Sequence, residues 1–392
     1  MGNQPMAASE NAIPYSASTV IALEAEHFAA IQRTIALLFR LAHSPSYQAL
    51  IDVDAEPALR HSPGNFGVFM GYDFHLTPHG PRLIEVNTNA GGALLNGLHT
   101  ASLCDPEKLA CLCADLLPVE ALEQKIVETF TAELAAVRGA GARLAHVAIV
   151  DDRPREQFLY PEFELFQTLF ARAGIEARIA DTRALAAAPG GGLALGDWPV
   201  ELVYLRDTDF ALAGERTRAL REAYLASSVV VTPSPREHFL LADKRRLTIF
   251  SSEPTLRQLG LDADDARFLR AVIPETHRLA ELGADAAWRS RADWVFKPAA
   301  AFGSRAVYRG DKISRKRFDS ILPEAGYVAQ RRVEPALVTV ETGNGPRAMK
   351  FDVRAYAYRD RVLLLGARVY EGQVTNLRSP GGGFSAICVS RR

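Results

Sequence analysis

Between residues 146 and 232 the chain alternates short apolar runs with amphipathic stretches. HVAIVDD (146–152) reads as a buried strand, PEFELFQTLFARAGI as a helix stopped at Gly174, EARIAD and VELVYLRDTDF as strands, 214–226 as a helix and SSVVVTPSP as a strand. A strand without a polar face must be covered on both sides, and helices threaded between such strands do so in a parallel sheet. Roughly a hundred residues therefore predict a doubly wound α/β unit. The C-terminal part reads differently. DWVFKP, RAVYRG, GYVAQRRVE, ALVTVET, KFDVRAYAYRD and RVLLLGARVY, with charged turns between them, predict an antiparallel sheet.

Upstream, residues 20–45 carry apolar residues at helical spacing and predict one amphipathic helix ending before Pro45. GVFMGYDFHLTPHGPRLIEVNTNAGG then reads as strand, turn, strand and glycine-bearing loop, and residues 105–138 as helix up to Gly139-Ala140-Gly141. Four units are expected: 1–140, 141–235, 236–290 and 291–392. With 45 Lys and Arg against 46 Asp and Glu, the chain shows neither a nucleic-acid footprint nor a polybasic membrane patch, so an anionic ligand must be held by local groups. The N-terminal residues lack a signal-peptide pattern and no stretch reaches membrane-spanning length, which predicts a cytoplasmic protein. Met6 stands where a myristoylation signal after Gly2 needs Ser or Thr. Cys104, Cys111, Cys113 and Cys388 make neither a disulfide framework nor a zinc spacing and are expected to be reduced and buried.

Four constellations carry chemistry. In the hairpin, Asp73 lies on one strand, while Glu85 and Asn87 are spaced to share a face of the next. Three convergent oxygen donors suit Mg²⁺, which takes one or two carboxylates and fills its octahedron with water and phosphate oxygens. Solvated hairpin acids are the plain alternative, but apolar Leu83, Ile84 and Val86 surround the Glu, and amides and glycines follow. In VFKPAAAFGSRAVYRG, Lys297 ends an apolar strand, and a small-residue loop with Gly303 and Ser304 lets backbone N–H groups approach an anion. Lys244 heads a helical pattern, where its charge opposes the helix dipole. Asp352, Arg354 and Arg368 stand among apolar strand residues, with Asn376, Arg378 and three glycines beyond, a pattern that fits carboxylate or phosphate recognition.

Taken in order, ADKRR with VIPET, VFKP, VAQRRVE, FDVR…ARV…TN…GGG and the displaced GYDFHL…LIEVNTNAGG resemble the ATP-grasp family in circular permutation, as in glutathionylspermidine synthase-like carboxylate–amine ligases. The matched pieces spread over residues 20–100 and 240–390, and the unit between them is similar to the flavodoxin-like domain that precedes the fold in most members. The resemblance implies an ATP-grasp fold of mixed α/β and α+β domains, with ATP and Mg²⁺ as cofactors. It implies that Lys244 and Lys297 hold ATP phosphates beneath the 299–304 lid, Gln330, Arg332 and Val333 form the adenine hinge, and Glu334 meets the ribose. Asp73, Glu85 and Asn87 match the metal ligands. Many members carry an Arg two residues before the first ligand, where this chain has Gly71, so Arg354, Arg368 or Arg378 is expected to supply that charge. Asn89, Arg206 and Asp207 are further substrate-site candidates, an ordinary surface ion pair being the alternative for the last two.

The implied reaction passes the γ-phosphoryl of ATP to a small-molecule carboxylate, and an amine then displaces phosphate to form an amide. A phosphotransferase acting on an alcohol and a non-catalytic nucleotide-binding module are the alternatives, and oligomerisation stays open.

Overall fold

The computed structural model describes residues 15–53, 55–103, 119–299, 306–323, 326–343, 345–372, 375, 377 and 379–390. Gly303, Ser304, Asn376, Arg378, Cys104, Cys111 and Cys113 lie outside the described residues. Cys388 is reduced and buried.

The largest sheet runs in the order Ser16–Glu24, Gly383–Ser390, Arg361–Tyr370, Gly345–Tyr358, Met70–Thr77, Gly80–Asn87, with Ala336–Thr342 also paired to Gly345–Tyr358. Its neighbours are antiparallel except the first pair. Gly345–Tyr358 organises this sheet because it is long enough to serve two partners along one edge. Its first half, to Phe351, pairs with Ala336–Thr342, and Val353–Ala357 pairs with Met70–Phe74. The N-terminal hairpin is thereby built into the C-terminal sheet.

The stretch 20–45 is not one helix. A strand runs to Glu24, a helix spans Ala25–Ala42, and Pro45 opens a second short helix. Helical spacing holds only from Ala25 on, with Ile31, Ile35, Leu38 and Ala42 buried. The apolar STVIALE before it pairs in parallel with Gly383–Ser390, a partner too distant in sequence for any local window to register.

The parallel sheet is present as expected, in the order Val230–Thr232, Leu202–Leu205, His146–Asp151, Glu176–Asp181. Its central strand is covered on both faces: Val147 and Ile149 enter one apolar core, Ala148 and Val150 another. A small antiparallel sheet of Leu185–Ala187, Leu193–Leu195 and Trp198–Val200 interrupts the crossover; the Pro189–Gly192 loop is its first turn. A second four-stranded sheet, Thr276–Arg278, Tyr327–Arg331, Trp294–Pro298, Tyr308–Arg309, is antiparallel and packs Phe296 and Ala329 against Phe318 and Ile321 of helix Arg315–Ile321. No helix among the described residues is long and apolar enough to cross a membrane.

Asp151 ends the central parallel strand in a buried position. Burial, opposed by the attraction of Arg206, pushes its carboxyl up to about 6. The folded state therefore holds a proton that the unfolded state has released, and the stability this gives is present at low pH and lost as pH rises through about 6. Asp151→Asn mimics the protonated form. In urea unfolding it should exceed the parent by on the order of 1–2 kcal/mol at pH 8, with the two converging by about pH 4.

Candidate active site

The hairpin strands pair in a register that sets Asp73 opposite Glu85, and the ladder then skips Ile84, so that Phe74 faces Leu83. The pairing sets Glu85 and Asn87 on the same sheet face as Asp73, and at this bulge the Ile84 carbonyl accepts from outside the hairpin. The Lys297 ammonium donates to that carbonyl at 3.2 Å and to Gln330 Oε1 at 2.7 Å. Lys297 and Gln330 lie on neighbouring strands of the smaller sheet, so a single lysine spans the gap between the two sheets.

A cleft follows that gap. Its walls include Asp73, Glu85, Asn87 and Arg368 from the large sheet, Lys244 from the turn before helix Arg246–Phe250, and Lys297, Gln330, Arg332, Val333 and Glu334 from the smaller sheet and the link that leaves it. The lysine turn is tied in by its backbone, Lys244 N donating to the Ala299 carbonyl at 3.4 Å. The ammonium of Lys244 lies 3.7 Å from Glu85 Oε2. Arg332 Nε lies 2.8 Å from Glu334 Oε1, and a second nitrogen lies 2.9 Å from Asp311.

Behind this surface a buried ionic lattice holds Asp73. Arg354, its cross-strand partner, donates to both carboxylate oxygens at 2.6 and 2.7 Å, and Arg368 adds a third bond at 2.7 Å while donating Nε to Asp352 at 2.6 Å. Thr375 completes Asp352 at 2.8 Å. Burial would raise the Asp73 carboxyl, but the two guanidiniums hold it well below the usual carboxylate range. Burial acts the same way on Glu85, where Lys244, Lys297 and Arg368 outweigh it and keep the group ionised. Lys297, shut away from water, is pulled down to about 8, with Glu85 opposing and Lys244 adding to the effect.

The oxygen donors fit a hard divalent cation. Asn87 Nδ2 donates to Asp73 Oδ2 at 3.0 Å and to Glu85 Oε1 at 3.3 Å, so one amide reaches both carboxylates; rotated, it would present its own oxygen to the same point. Asp73 carries much of its accepting capacity on arginines, which leaves Glu85 and Asn87 the more available donors. No cluster of three His, Cys, Asp or Glu with metal-binding geometry exists among the described residues.

Gly71 has a steric explanation. A Cβ there would come within 2.5 Å of Ala90 Cβ and 3.5 Å of Arg354 Nε, so the neighbouring strand's arginine stands beside the place where a side chain at 71 would start. Of the three arginines expected to face ligand, Arg378 lies outside the described residues, Arg368 lines the cleft, and Arg354 is buried against Asp73 and serves to hold it.

Three substrate-site candidates lie elsewhere. Asp207 is fully buried and accepts from Arg216 at 3.0 and 2.7 Å, Thr182 at 2.8 Å and Asp209 N at 2.8 Å; it forms a buried ion pair with Arg216 and not the surface pair that was the alternative. Arg206 is buried between the Phe163 and Tyr204 rings, donates to Tyr204 Oη at 3.0 Å and packs under Gly91. Asn89 donates to the Arg206 carbonyl at 2.6 Å, which straps the loop after the hairpin to the parallel sheet. His75 escaped the sequence reading. It lines the cleft, and its Nδ1 meets the Val333 carbonyl at 2.9 Å. Its place two residues after Asp73, on the same strand face, was the available signal.

No protein-family model matches the sequence, and neither does any curated protein. Among solved structures the chain is similar to a proposed gamma-glutamylcysteine synthetase from Methylobacillus flagellatus KT, at 12% identity over 93% of this chain and 87% of that one, with a TM-score of 0.49. It is similar to the ATP-grasp ligase PsnB bound to a phosphomimetic variant of its minimal precursor, Mg and ADP, at 18% identity over 58% of this chain and 89% of that one, TM-score 0.27. PsnB with precursor peptide PsnA2 and AMPPNP gives 14% identity, 62% and 87% coverage and a TM-score of 0.28.

The lattice separates two roles that the hairpin acids were expected to share. Asp73→Asn leaves two buried guanidiniums short of charge and should cost about 3–5 kcal/mol in urea unfolding. Glu85→Gln, at a carboxylate 28% exposed, should cost clearly less, on the order of 1–2 kcal/mol, because solvent partly replaces the counter-charge that Lys244 and Lys297 lose. Gly71→Ala should destabilise by about 1–3 kcal/mol through overlap with Ala90, measured in the same way.

Proposed function

We propose that the protein is an ATP-dependent ligase of the ATP-grasp kind, in circularly permuted order, joining a carboxylate to an amine through an acyl phosphate with release of ADP and phosphate. The observation that carries this reading is the convergence on one cleft of Lys244, Lys297, the Gln330–Glu334 link and the Asp73, Glu85 and Asn87 hairpin, which the chain holds far apart. The space left in the cleft is about 140 Å³, below the roughly 300–1,000 Å³ of typical ligand pockets, so the sheets would part to admit a nucleotide.

In this reading Lys244 and Lys297 hold phosphate oxygens as point charges and Arg368 presents donors to the transferred group. Glu85 and Asn87, with Asp73, would hold Mg²⁺, which when bound neutralises charge on the phosphates. The substrate carboxylate displaces ADP at the γ-phosphorus; the amine then attacks the acyl carbon, phosphate departs, and the amine's proton passes to solvent.

The plain alternative is a phosphotransferase. A carboxylate nucleophile arrives deprotonated, whereas an alcohol needs a base. Among the described residues, the carboxylates lining the cleft are Asp73, Glu85, Asp352 and Glu334, and each lies in an ion pair, which leaves His75 as the lining side chain that could serve an alcohol. ADP release measured with amino acids and polyamines, singly and in pairs, is the direct test. Release that depends on both an acid and an amine is the expected result; phosphorylation of an acceptor hydroxyl would overturn it. With the productive pair, Glu85→Gln and Arg368→Lys should each lower ADP release by on the order of a hundredfold.

A further inference from the structure

A cleft of about 610 Å³ opens at the outer edge of the four-stranded antiparallel sheet, beside Thr276–Arg278. Arg82 enters it from the hairpin strand Gly80–Asn87, Arg270 from helix Ala263–Val272, which packs on that strand, and Ser251 and Thr276 form its floor. Arg331 is a wall of this cleft and of the one described above.

Arg82 is the unusual member. Its Nε is sealed from solvent and finds no hydrogen-bond partner among the described residues, and burial draws the guanidinium below its ordinary range. The guanidinium as a whole is half-buried, lines the cleft and has no ion-pair partner among the described residues, and a charge in that state is costly unless an anion meets its open side. The acids in the cleft are largely engaged: Glu275 lies 2.8 Å from His277 and 3.6 Å from Arg331, and Glu281 lies 3.7 Å from Arg278, while Glu253 sits at the start of its own short helix. Ser251 Oγ accepts from Thr276 N at 3.2 Å and keeps its own proton to donate.

We propose that this cleft binds a small oxyanion, a phosphoryl or carboxylate group accepted by Arg82 and Arg270 with the Ser251 hydroxyl as a further donor. Guanidiniums match both oxyanions in geometry and charge. An anion so placed ties the metal-hairpin strand to the edge of the sheet that bears Gln330, because Thr276 pairs with Gln330 across the ladder. Nothing in the proposal requires that the protein use ATP.

Titration calorimetry with inorganic phosphate, and separately with citrate, tests it on the full chain and on Arg82→Gln, Arg270→Gln and, as a surface-charge control outside both clefts, Arg289→Gln. Arg270 and Arg289 are exposed, so their replacement leaves folding intact. The expected result is a binding component that weakens at least about tenfold in Arg82→Gln and in Arg270→Gln and is unchanged in Arg289→Gln. The stronger of the two anions identifies the group as phosphoryl or carboxylate. Absence of binding to the parent, parent-like affinity in Arg82→Gln or Arg270→Gln, or equal weakening in Arg289→Gln would each overturn the proposal, the last by showing a diffuse attraction of surface charge.

Discussion

The bidentate bond between Arg354 and Asp73 joins residues 281 apart, and the geometry of the cleft rests on it. A buried ion pair gains little net stability, since desolvating both groups offsets their attraction. Its value here is positional. Side chains alternate along a strand, so a slip of one residue between Met70–Thr77 and Gly345–Tyr358 would bury Tyr72 among the arginines and turn Asp73 away from them. The pair makes that slip expensive, and with Asp73 fixed, Glu85 and Asn87 follow through the hairpin register.

A second anchor fixes the far end of the same hairpin. Glu162, on helix Tyr160–Arg172 beside the parallel sheet, accepts from Gly92 N at 2.8 Å and Leu94 N at 3.0 Å, so it caps helix Ala93–Leu103 from another element. Gly92, at φ +91°, has no room for a side chain, because a Cβ would meet the Phe384 ring at 2.4 Å. The glycines after NTN thus serve close packing, and Gly92 also gives one of the two N–H groups that meet Glu162. Arg206 and Asn89 belong to this joint, which explains why they stand next to the hairpin loop without entering the cleft.

The parts of this architecture legible in the sequence are those governed by local period. The buried parallel strands, the hairpin, and the spacing of Glu85 and Asn87 follow from alternation and turn chemistry. The cleft itself became legible through the order of short motifs, since no local rule relates Lys244 to Glu85. Three features stayed hidden because their partners are remote. Strand Ser16–Glu24 looks helical until Gly383–Ser390 lies beside it, Asp207 looks like a ligand until Arg216 reaches it, and Arg354 looks available until Asp73 claims it. Polar residues at strand ends advertise a demand for partners, but the sequence does not say whether the protein or a ligand meets it.

That distinction decides how the cleft would fill. Lys244, Lys297, Arg354 and Arg368 face Asp73, Glu85 and Asp352, so the enclosed groups carry one more cation than anion. A bare divalent ion entering at Glu85 would add to that excess at close range, with Lys244 only 3.7 Å from the carboxylate it seeks. A nucleotide bringing its metal would reverse the balance, because its phosphates would meet both lysines and free Glu85 from Lys244. The lowered proton affinity of Lys297 has the same origin, burial with a like charge nearby, and phosphate oxygens would raise it again. Under the proposed reading metal and nucleotide would therefore be coupled ligands of this site: each would remove the charge that opposes the other, and neither the hairpin nor the lysines would form a finished binding site alone.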